Sequence, residues 1–205
     1  MNNIAYWREQ EAIYKAKRVI DLTKEYWFDN MLDIGSREGF VIKELKAKGV
    51  GRVNIGITAL EIEKELVEQL RAKRIQAIEY DGYNLDMFKD NEFDLVTCLH
   101  VIEHTKYPRM LLENIKRISK YQIFEIPCEF SFTIDKKFED RQRYGHLETY
   151  TPALFRFLLY TVGYKILDDR YAFNQRQSKN RIRTFILKHS FLKKIKPNTY
   201  TVLTH

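Results

Sequence analysis

Short apolar runs alternate with amphipathic segments along most of this 205-residue chain, and the alternation limits the folds available to it. Runs such as NMLDI and FDLVTCL have the length and composition of buried strands. Between such runs lie segments such as FVIKELKAK and PRMLLENIKRIS, whose apolar residues recur at helical spacing. Strands that alternate with helices through short connections predict an α/β sheet with helices on both faces.

The predicted elements follow one another without a break that would suggest two domains. An amphipathic helix is predicted over 4–27 at the N-terminus. Strands are predicted at 30–36, 52–57, 75–80, 93–99, 121–127, 164–173 and 199–205, and further helices at 39–49, 60–73, 108–119 and 151–163. The chain contains no repeat or proline-rich linker, so we expect a single domain over 1–205. The least regular connection, 129–148, is long enough to be a functional loop.

Cysteine content and hydropathy favour a cytoplasmic protein. Only Cys98 and Cys128 are present, without metal-type spacing, which indicates free thiols in a reducing compartment. No apolar run is long and uncharged enough for a membrane span, and no signal-peptide pattern opens the chain.

The formal net charge of +7 is concentrated in the C-terminal segment. No acidic residue follows Asp169, whereas nine basic residues do, so the part of the chain up to Asp169 is close to neutral. Such a segment either binds an anionic partner, such as a phosphorylated compound or nucleic acid, or is simply a solvated basic face.

The stretch LVTCLHVIEHTKYP contains His100, Glu103 and His104 in the order H-x-x-E-H. On a helix, this spacing would place two zinc ligands on one face with a glutamate to activate water. His100, however, directly follows a predicted strand, and no third ligand is evident in the sequence. We therefore expect no metal site and interpret the H-x-x-E-H pattern as a coincidence.

A loop rich in small residues follows the first predicted strand. It contains Asp33, Gly35, Ser36 and Gly39, and it lacks the G-x-G-x-x-G pattern of dinucleotide-binding loops. Glycines let the backbone turn tightly and approach a ligand, and the next helix presents free amide groups there. The loop resembles the D-x-G-x-x-x-G motif of class I S-adenosylmethionine-dependent methyltransferases.

Later segments resemble the same family in the same order, over about residues 30–170. They are NIGITALE, IEYDGYNL, NEFDLVTCLHVIEHTKYP and GHLETYTPALFRFLLYTVGYKI. The resemblance implies a Rossmann-like seven-stranded sheet, mostly parallel with an antiparallel last strand and helices on both faces. It also implies S-adenosyl-L-methionine as the cofactor.

The resemblance assigns roles to particular residues. Asp33 and Gly35, with Ser36 and Gly39, would hold the amino acid end of the cofactor. Asp81, with Gly82, would contact the adenine, and Leu99 and His100 would lend main-chain atoms beside the sulfonium. For Asp33 and Gly35 a simple turn is the alternative interpretation, and for Asp81 an Asp-Gly turn with Gly82. The side chains of Leu99 and His100 would matter little, since only their main-chain atoms are involved.

Two positions depart from the family pattern. Arg37 stands where a second glycine is usual, and Thr58 stands where the ribose-binding carboxylate is usual. A hydroxyl cannot clamp a diol as a carboxylate does, although Glu61 lies close by and could reach back. These departures predict a weaker or rebuilt cofactor site, or a loss of activity.

Transfer of a methyl group to oxygen also needs a general base. His146, before the helix start Thr151-Pro152, is the candidate, and the alternative is a histidine that anchors the preceding loop. His104 is the rival candidate, with a bracing role the better interpretation. The aromatic residues Tyr6, Trp7 and Tyr14 could form a lid in the N-terminal segment 1–28, although such a stripe is more often core.

The sequence thus predicts a methyltransferase acting on oxygen of a small polar or anionic metabolite, such as a sugar or phosphorylated sugar precursor of a surface polysaccharide. In this interpretation 129–148 is the acceptor loop and 175–198 a basic insertion before the last strand. One alternative is an RNA methyltransferase that uses the basic segment, although RNA-binding signatures are absent. Another is a non-catalytic binding subunit with a methyltransferase-like fold.

Overall fold

A computed structural model describes residues 3–50, 55–128, 145–172 and 199–205, with only the backbone for 3–5. Two predicted features fall mainly or wholly outside these ranges. They are the acceptor loop, of which only 145–148 is described, and the basic insertion 175–198.

Seven strands form one sheet, as predicted. They are β1 (Asn30–Ile34), β2 (Gly56–Glu61), β3 (Gln76–Glu79), β4 (Phe93–Leu99), β5 (Ser119–Pro127), β6 (Ile166–Ala172) and β7 (Thr199–Thr204). Their order across the sheet is β3-β2-β1-β4-β5-β7-β6. Neighbours from β3 to β5 pair in parallel, whereas β7 pairs antiparallel with both β5 and β6. The predicted seven-stranded sheet with an antiparallel last strand is therefore confirmed.

Helices cover both faces of the sheet. They are α1 (Asn3–Thr23), α2 (Phe40–Lys48), α3 (Lys64–Ala72), α4 (Pro108–Ile118) and α5 (Pro152–Val162), with a short 3-10 helix at Ile102–His104. One apolar cluster joins α1, α2 and α3 to the sheet, through residues such as Val19, Leu45 and Leu70. The other joins α4 and α5 to the opposite face, through residues such as Ile115 and Phe155.

Local chemistry explains where α5 begins and ends. The Thr151 side chain accepts a hydrogen bond from the Leu154 backbone N–H at 3.2 Å, and Pro152 occupies the first turn. Gly163 ends the helix with φ 85°, a left-handed conformation that costs glycine little. The cap and the terminating glycine agree with the sequence prediction.

The second strand lies further along the chain than predicted. The expected strand at 52–57 is replaced by β2 at Gly56–Glu61, and α3 begins at Lys64 rather than at residue 60. All five residues of β2 after Gly56 are buried, so the segment shows no alternation that would mark its boundaries. This shift changes which side chain stands at the carboxyl end of the strand.

None of the helices within the described ranges is long and apolar enough to cross a membrane.

Candidate active site

The carboxyl ends of β1, β2, β3 and β4 meet at one edge of the sheet, where open α/β sheets bind ligands. At the end of β1, Gly35 has φ 72°, and a Cβ added there would lie 2.5 Å from the Val101 Cγ2 atom. Any side chain at this position would therefore collide with the segment that follows β4. The close packing of Gly35 on Val101 joins the loop after β1 to the segment after β4.

Ser36 and Gly39 hold the same loop in shape. The Ser36 hydroxyl donates to the Asp33 carbonyl oxygen at 2.7 Å, and the Gly39 N–H donates to the Ser36 carbonyl oxygen at 2.9 Å. Gly39 precedes α2 with φ 80°, and an added Cβ would lie 2.7 Å from the Leu70 Cδ2 atom. The loop is thus a tight turn that leads into a helix N-terminus.

Asp33 is a buried carboxyl group within this turn. Its side chain accepts a hydrogen bond from the Thr97 hydroxyl at 2.6 Å. Burial raises the pKa of Asp33 to about 6, against the hydrogen bonds from Thr97 and Ser36 and the positive charge of Lys15. A cationic group beside Asp33 would stabilise its ionised form and so lower its pKa again.

Glu61, rather than Thr58, lies at the carboxyl end of β2. One Glu61 carboxylate oxygen accepts from the Arg37 N–H and the other from the Ile62 N–H, each at 2.8 Å. Thr58 sits in the middle of the strand, opposite Leu32 and Gln76. The predicted strand at 52–57 therefore ended too early in the chain, and the residue at the end of β2 is Glu61.

Arg37 adopts the conformation that a glycine would favour. Its φ is 47°, in the left-handed region, and its N–H is held by Glu61. The loop therefore keeps its shape without a second glycine, and the strain at Arg37 is offset by a charge-assisted hydrogen bond. Both departures from the family pattern now have a local structural explanation.

Asp81 and Gly82 form a turn just beyond β3. The Asp81 carboxylate accepts from the Tyr83 N–H at 3.1 Å and the Asn84 N–H at 2.8 Å. The Gly82 carbonyl oxygen accepts from the Thr105 hydroxyl at 3.4 Å, which ties this turn to the segment after β4. Asp81 is exposed at the edge of the site, so the turn and a ligand contact are compatible.

Leu99 ends β4, and His100 leaves the strand with φ 59°. The His100 backbone N–H donates to the Glu125 carbonyl oxygen at 2.8 Å, and its Nε2 atom lies 3.0 Å from a Glu125 carboxylate oxygen. Burial and the charge of Lys15 oppose protonation of His100, but the carboxylates of Glu103 and Glu125 outweigh them and raise its pKa.

Glu125, which the sequence analysis missed, links the site to α1. Arg18 donates to both of its carboxylate oxygens, at 2.5 and 2.6 Å, and the Thr201 hydroxyl donates at 2.7 Å. Glu125 is fully buried, and although burial alone would raise its pKa, the bonds to His100 and Arg18 hold the pKa well below its usual range. Lys15, Arg18, Glu11 and His100 line a small cleft beside this cluster.

Glu103, His104 and His146 come together beyond β4, although His146 is far away in sequence. The Leu147 and Glu148 N–H groups donate to the Glu103 carbonyl oxygen, at 2.8 and 3.1 Å, and so fix the segment that carries His146. The His104 and His146 rings meet edge to face with centroids 4.7 Å apart. Burial lowers the pKa of His104, against the charge of Glu103.

Residues 32–122 match the family model described as a methyltransferase domain. This match indicates an S-adenosylmethionine-dependent methyltransferase. Its cofactor is S-adenosylmethionine, as the sequence resemblance implied. The matched region spans the four loops that form the edge described above, from β1 to the beginning of β5.

Solved structures share the fold of the methyltransferase across almost its whole length. A SAM-dependent methyltransferase from Archaeoglobus fulgidus is 17% identical, with a TM-score of 0.69 over 96% of this chain and 93% of that chain. Another from Thermotoga maritima is 16% identical, with a TM-score of 0.61 over 98% and 96%. The 4+2 cyclase SpnF is 15% identical, with a TM-score of 0.70 over 96% and 82%. No protein of curated function matches the sequence.

The cyclase shows that this fold also carries other activities, so the reaction must be argued from the site. Besides Glu125, the sequence did not reveal the contact of His146 with Glu103, and it presented Glu61 only as a group that could reach back. Glu61 follows the apolar run of β2 directly, a signal hidden by the misplaced strand. The contact between His146 and Glu103 joins two segments that are distant in sequence, so no local sequence pattern predicts it.

Proposed function

We propose that the methyltransferase transfers the methyl group of S-adenosylmethionine to an oxygen of a small polar metabolite in the cytoplasm. A sugar, or a phosphorylated sugar precursor of a surface polysaccharide, is the class of acceptor that we favour. The observation that carries the proposal is the cluster of Glu103, His104 and His146 beside the cofactor loops. An oxygen acceptor must lose its proton, and this cluster supplies groups that can take it.

In this proposal each strand end has a part in holding the cofactor. Asp33 faces the methionine ammonium group, whose charge favours the ionised carboxylate, and the Gly35 turn admits the backbone of the ligand. Glu61 accepts from the ribose hydroxyls with the oxygen lone pairs that Arg37 and Ile62 leave open. Asp81 and Gly82 border the adenine.

The transfer is an in-line displacement at the methyl carbon. The bond from carbon to sulfur breaks as the bond to the acceptor oxygen forms, and neutral S-adenosylhomocysteine leaves. His146 is the candidate base for the acceptor proton. Leu99 and His100 lie at the end of β4 and contribute backbone atoms beside the sulfonium.

The cleft beside α1 favours an acceptor that carries negative charge. Three of its four lining side chains, Lys15, Arg18 and His100, are cationic or can become so. Arg18 and His100 already contact Glu125, so Lys15 is the group of the three that is available to a phosphate or carboxylate.

Titration calorimetry with S-adenosylhomocysteine tests the cofactor site. We expect saturable binding to the wild type, a loss of at least tenfold in affinity for Glu61→Gln, and little change for Thr58→Val, which keeps the strand packing. Asp81→Asn keeps the acceptor for the turn and removes only the charge. Equal effects of Glu61→Gln and Thr58→Val would contradict the assignment of the ribose site to Glu61.

The charge asymmetry of the chain also motivates RNA as an acceptor. Binding of a labelled RNA whose affinity falls steeply with salt, because released counterions drive it, would favour that alternative. Phosphosugar binding with a shallow salt dependence would favour the small acceptor.

A further inference from the structure

The Glu103 side chain is a buried carboxylate without a hydrogen bond to either oxygen among the residues that the structure describes. It is 1% exposed. Its nearest described cationic group is His100, whose Nδ1 atom lies 3.4 Å from Oε1 without forming a hydrogen bond, and whose Nε2 atom already contacts Glu125. A buried carboxylate is expected to have a cation beside it, because its ionised form is costly to bury alone.

Two further imidazoles, those of His104 and His146, lie beside Glu103. The potential ligand atoms of Glu103, His104 and His146 all lie within 4.8 Å of one another, and His104 Nε2 is 4.0 Å from Glu103 Oε1. Ligands of a tetrahedral zinc ion are about 3.3 Å apart, as bond lengths near 2.0 Å require. Small side-chain movements would therefore bring the three groups into coordination distance.

His104 is oriented as a metal ligand. Its Nδ1 atom lies 3.1 Å from the Gly145 carbonyl oxygen, so that nitrogen carries the proton and Nε2 presents its lone pair to Glu103 and His146. Histidine ligands of metals commonly donate their other ring N–H to a carbonyl or carboxylate in this way. Gly145 directly precedes His146, so one short segment both orients one ligand and supplies another.

We propose that Glu103, His104 and His146 bind a divalent first-row cation such as Zn²⁺ or Mn²⁺. Two imidazoles and one carboxylate suit these ions better than Mg²⁺ or Ca²⁺, which prefer oxygen ligands throughout. The H-x-x-E-H motif thus contains two of the proposed ligands, Glu103 and His104. His100 contacts Glu125 instead, and the third ligand is His146. The expectation of no metal site arose because that third ligand is distant in sequence.

This inference rests on the proposed function and refines the part of His146 in it. Three protein ligands leave positions open for substrate. An acceptor with two adjacent oxygens, such as a vicinal diol of a sugar, can fill two of them. A bound cation would lower the pKa of the acceptor hydroxyl, whose proton would pass to solvent, and His146 would be a ligand rather than the base.

One residue, Val101, connects the proposed metal site to the loop after β1. Val101 packs against Gly35, and its carbonyl oxygen accepts from the His104 N–H at 2.9 Å. A cation held there would sit on the acceptor side of the methyl group. Paramagnetic Mn²⁺ would then broaden the methyl resonance of bound S-adenosylmethionine.

The test measures Mn²⁺ binding to the full chain by electron paramagnetic resonance, with S-adenosylhomocysteine binding measured separately. We expect one Mn²⁺ per wild-type chain, and affinity reduced more than tenfold in Glu103→Gln and in His146→Ala. His205→Ala is the matched control, since His205 Nδ1 also contacts a backbone carbonyl, that of Lys120 at 2.9 Å, but belongs to no such cluster within the described residues.

Retained S-adenosylhomocysteine binding in both ligand variants would show that they are folded and support the site. Mn²⁺ binding that is absent from the wild type, or unchanged in both variants, would overturn it. Mn²⁺ binding without broadening of the cofactor methyl resonance would overturn its role in methyl transfer. Failure of the wild type to bind S-adenosylhomocysteine would instead count against the proposed function, whatever the result with Mn²⁺.

Discussion

Asp33 is the residue at which folding and the proposed contact with the cofactor make opposite demands. Burial raises its pKa from 3.8 to about 6, so the native state keeps a proton that the unfolded chain loses between these values. As pH rises through this range, the unfolded state binds fewer protons than the native state, and stability falls. Above pH 6 the cost amounts to about 3 kcal/mol, at 1.36 kcal/mol for each pKa unit.

We therefore predict that Asp33→Asn stabilises the protein at pH 8 by about 1–3 kcal/mol and changes stability little at pH 4. The amide keeps an acceptor for the Thr97 hydroxyl and cannot ionise. The same variant should lose affinity for S-adenosylhomocysteine, because the ammonium group of the ligand loses a carboxylate partner. Urea denaturation at the two pH values measures the stability effect. Equal destabilisation at both would contradict the role of the Asp33 charge.

Single residues at strand ends could be predicted where a local motif marks them. Asp33, Gly35 and Asp81 stand where an apolar run gives way to a glycine turn, and the structure places all three at the edge of the sheet. Glu125 and Glu103 could not be found in this way, because each lies in an apolar segment and its environment comes from distant elements. Buried charges depend on tertiary partners that a local pattern does not contain.

At the level of elements, α1 is attached to the sheet by a buried ion pair. Arg18 on α1 and Glu125 on β5 have side chains that are 13% and 0% exposed. Removal of Arg18 leaves the buried Glu125 with only His100 and the Thr201 hydroxyl as partners. Loss of one partner from a buried ion pair costs about 3–5 kcal/mol in comparable pairs. By contrast, the pair of Lys43 with Glu9, which joins α1 to α2, is exposed, and such pairs contribute about 0–1 kcal/mol.

We predict that Arg18→Met lowers the free energy of unfolding by about 3–5 kcal/mol, whereas Lys43→Met lowers it by less than about 1 kcal/mol. Addition of Glu125→Gln to Arg18→Met should recover part of the loss, since the buried charge is then gone. Limited proteolysis should cleave within α1 first in the single variant. A loss for Arg18→Met no larger than that for Lys43→Met would show that the pair does not hold α1.

The boundaries of elements could be predicted best where a cap or a proline marks them. β4 falls at the predicted residues, and α5 differs by one residue at each end, between Thr151-Pro152 and Gly163. β2 was misplaced because its buried residues follow one another without alternation, and an apolar run fixes neither end of a strand. The predicted strand ended at residue 57, whereas β2 ends at Glu61.

At the level of the whole molecule, the proposed cofactor site is shared between strands whose opposite faces belong to two apolar clusters. Leu32 and Ile34 of β1 pack into the cluster with α4 and α5, while Met31 of the same strand packs into the cluster with α1, α2 and α3. A ligand bound at the strand ends therefore stabilises the sheet and both helical layers together. Binding to the native state alone raises its stability by mass action.

We predict that S-adenosylhomocysteine at 100 times its dissociation constant raises the free energy of unfolding by about 2.7 kcal/mol. For a chain of this size, that corresponds to an increase in Tm of about 5–11 °C. Differential scanning calorimetry should show one transition that moves as a unit, and the tenfold or greater loss of affinity in Glu61→Gln should reduce the shift to about half or less at the same ligand concentration. Two transitions, of which only one moves with ligand, would mean that the layers unfold separately and that the site depends on one of them alone.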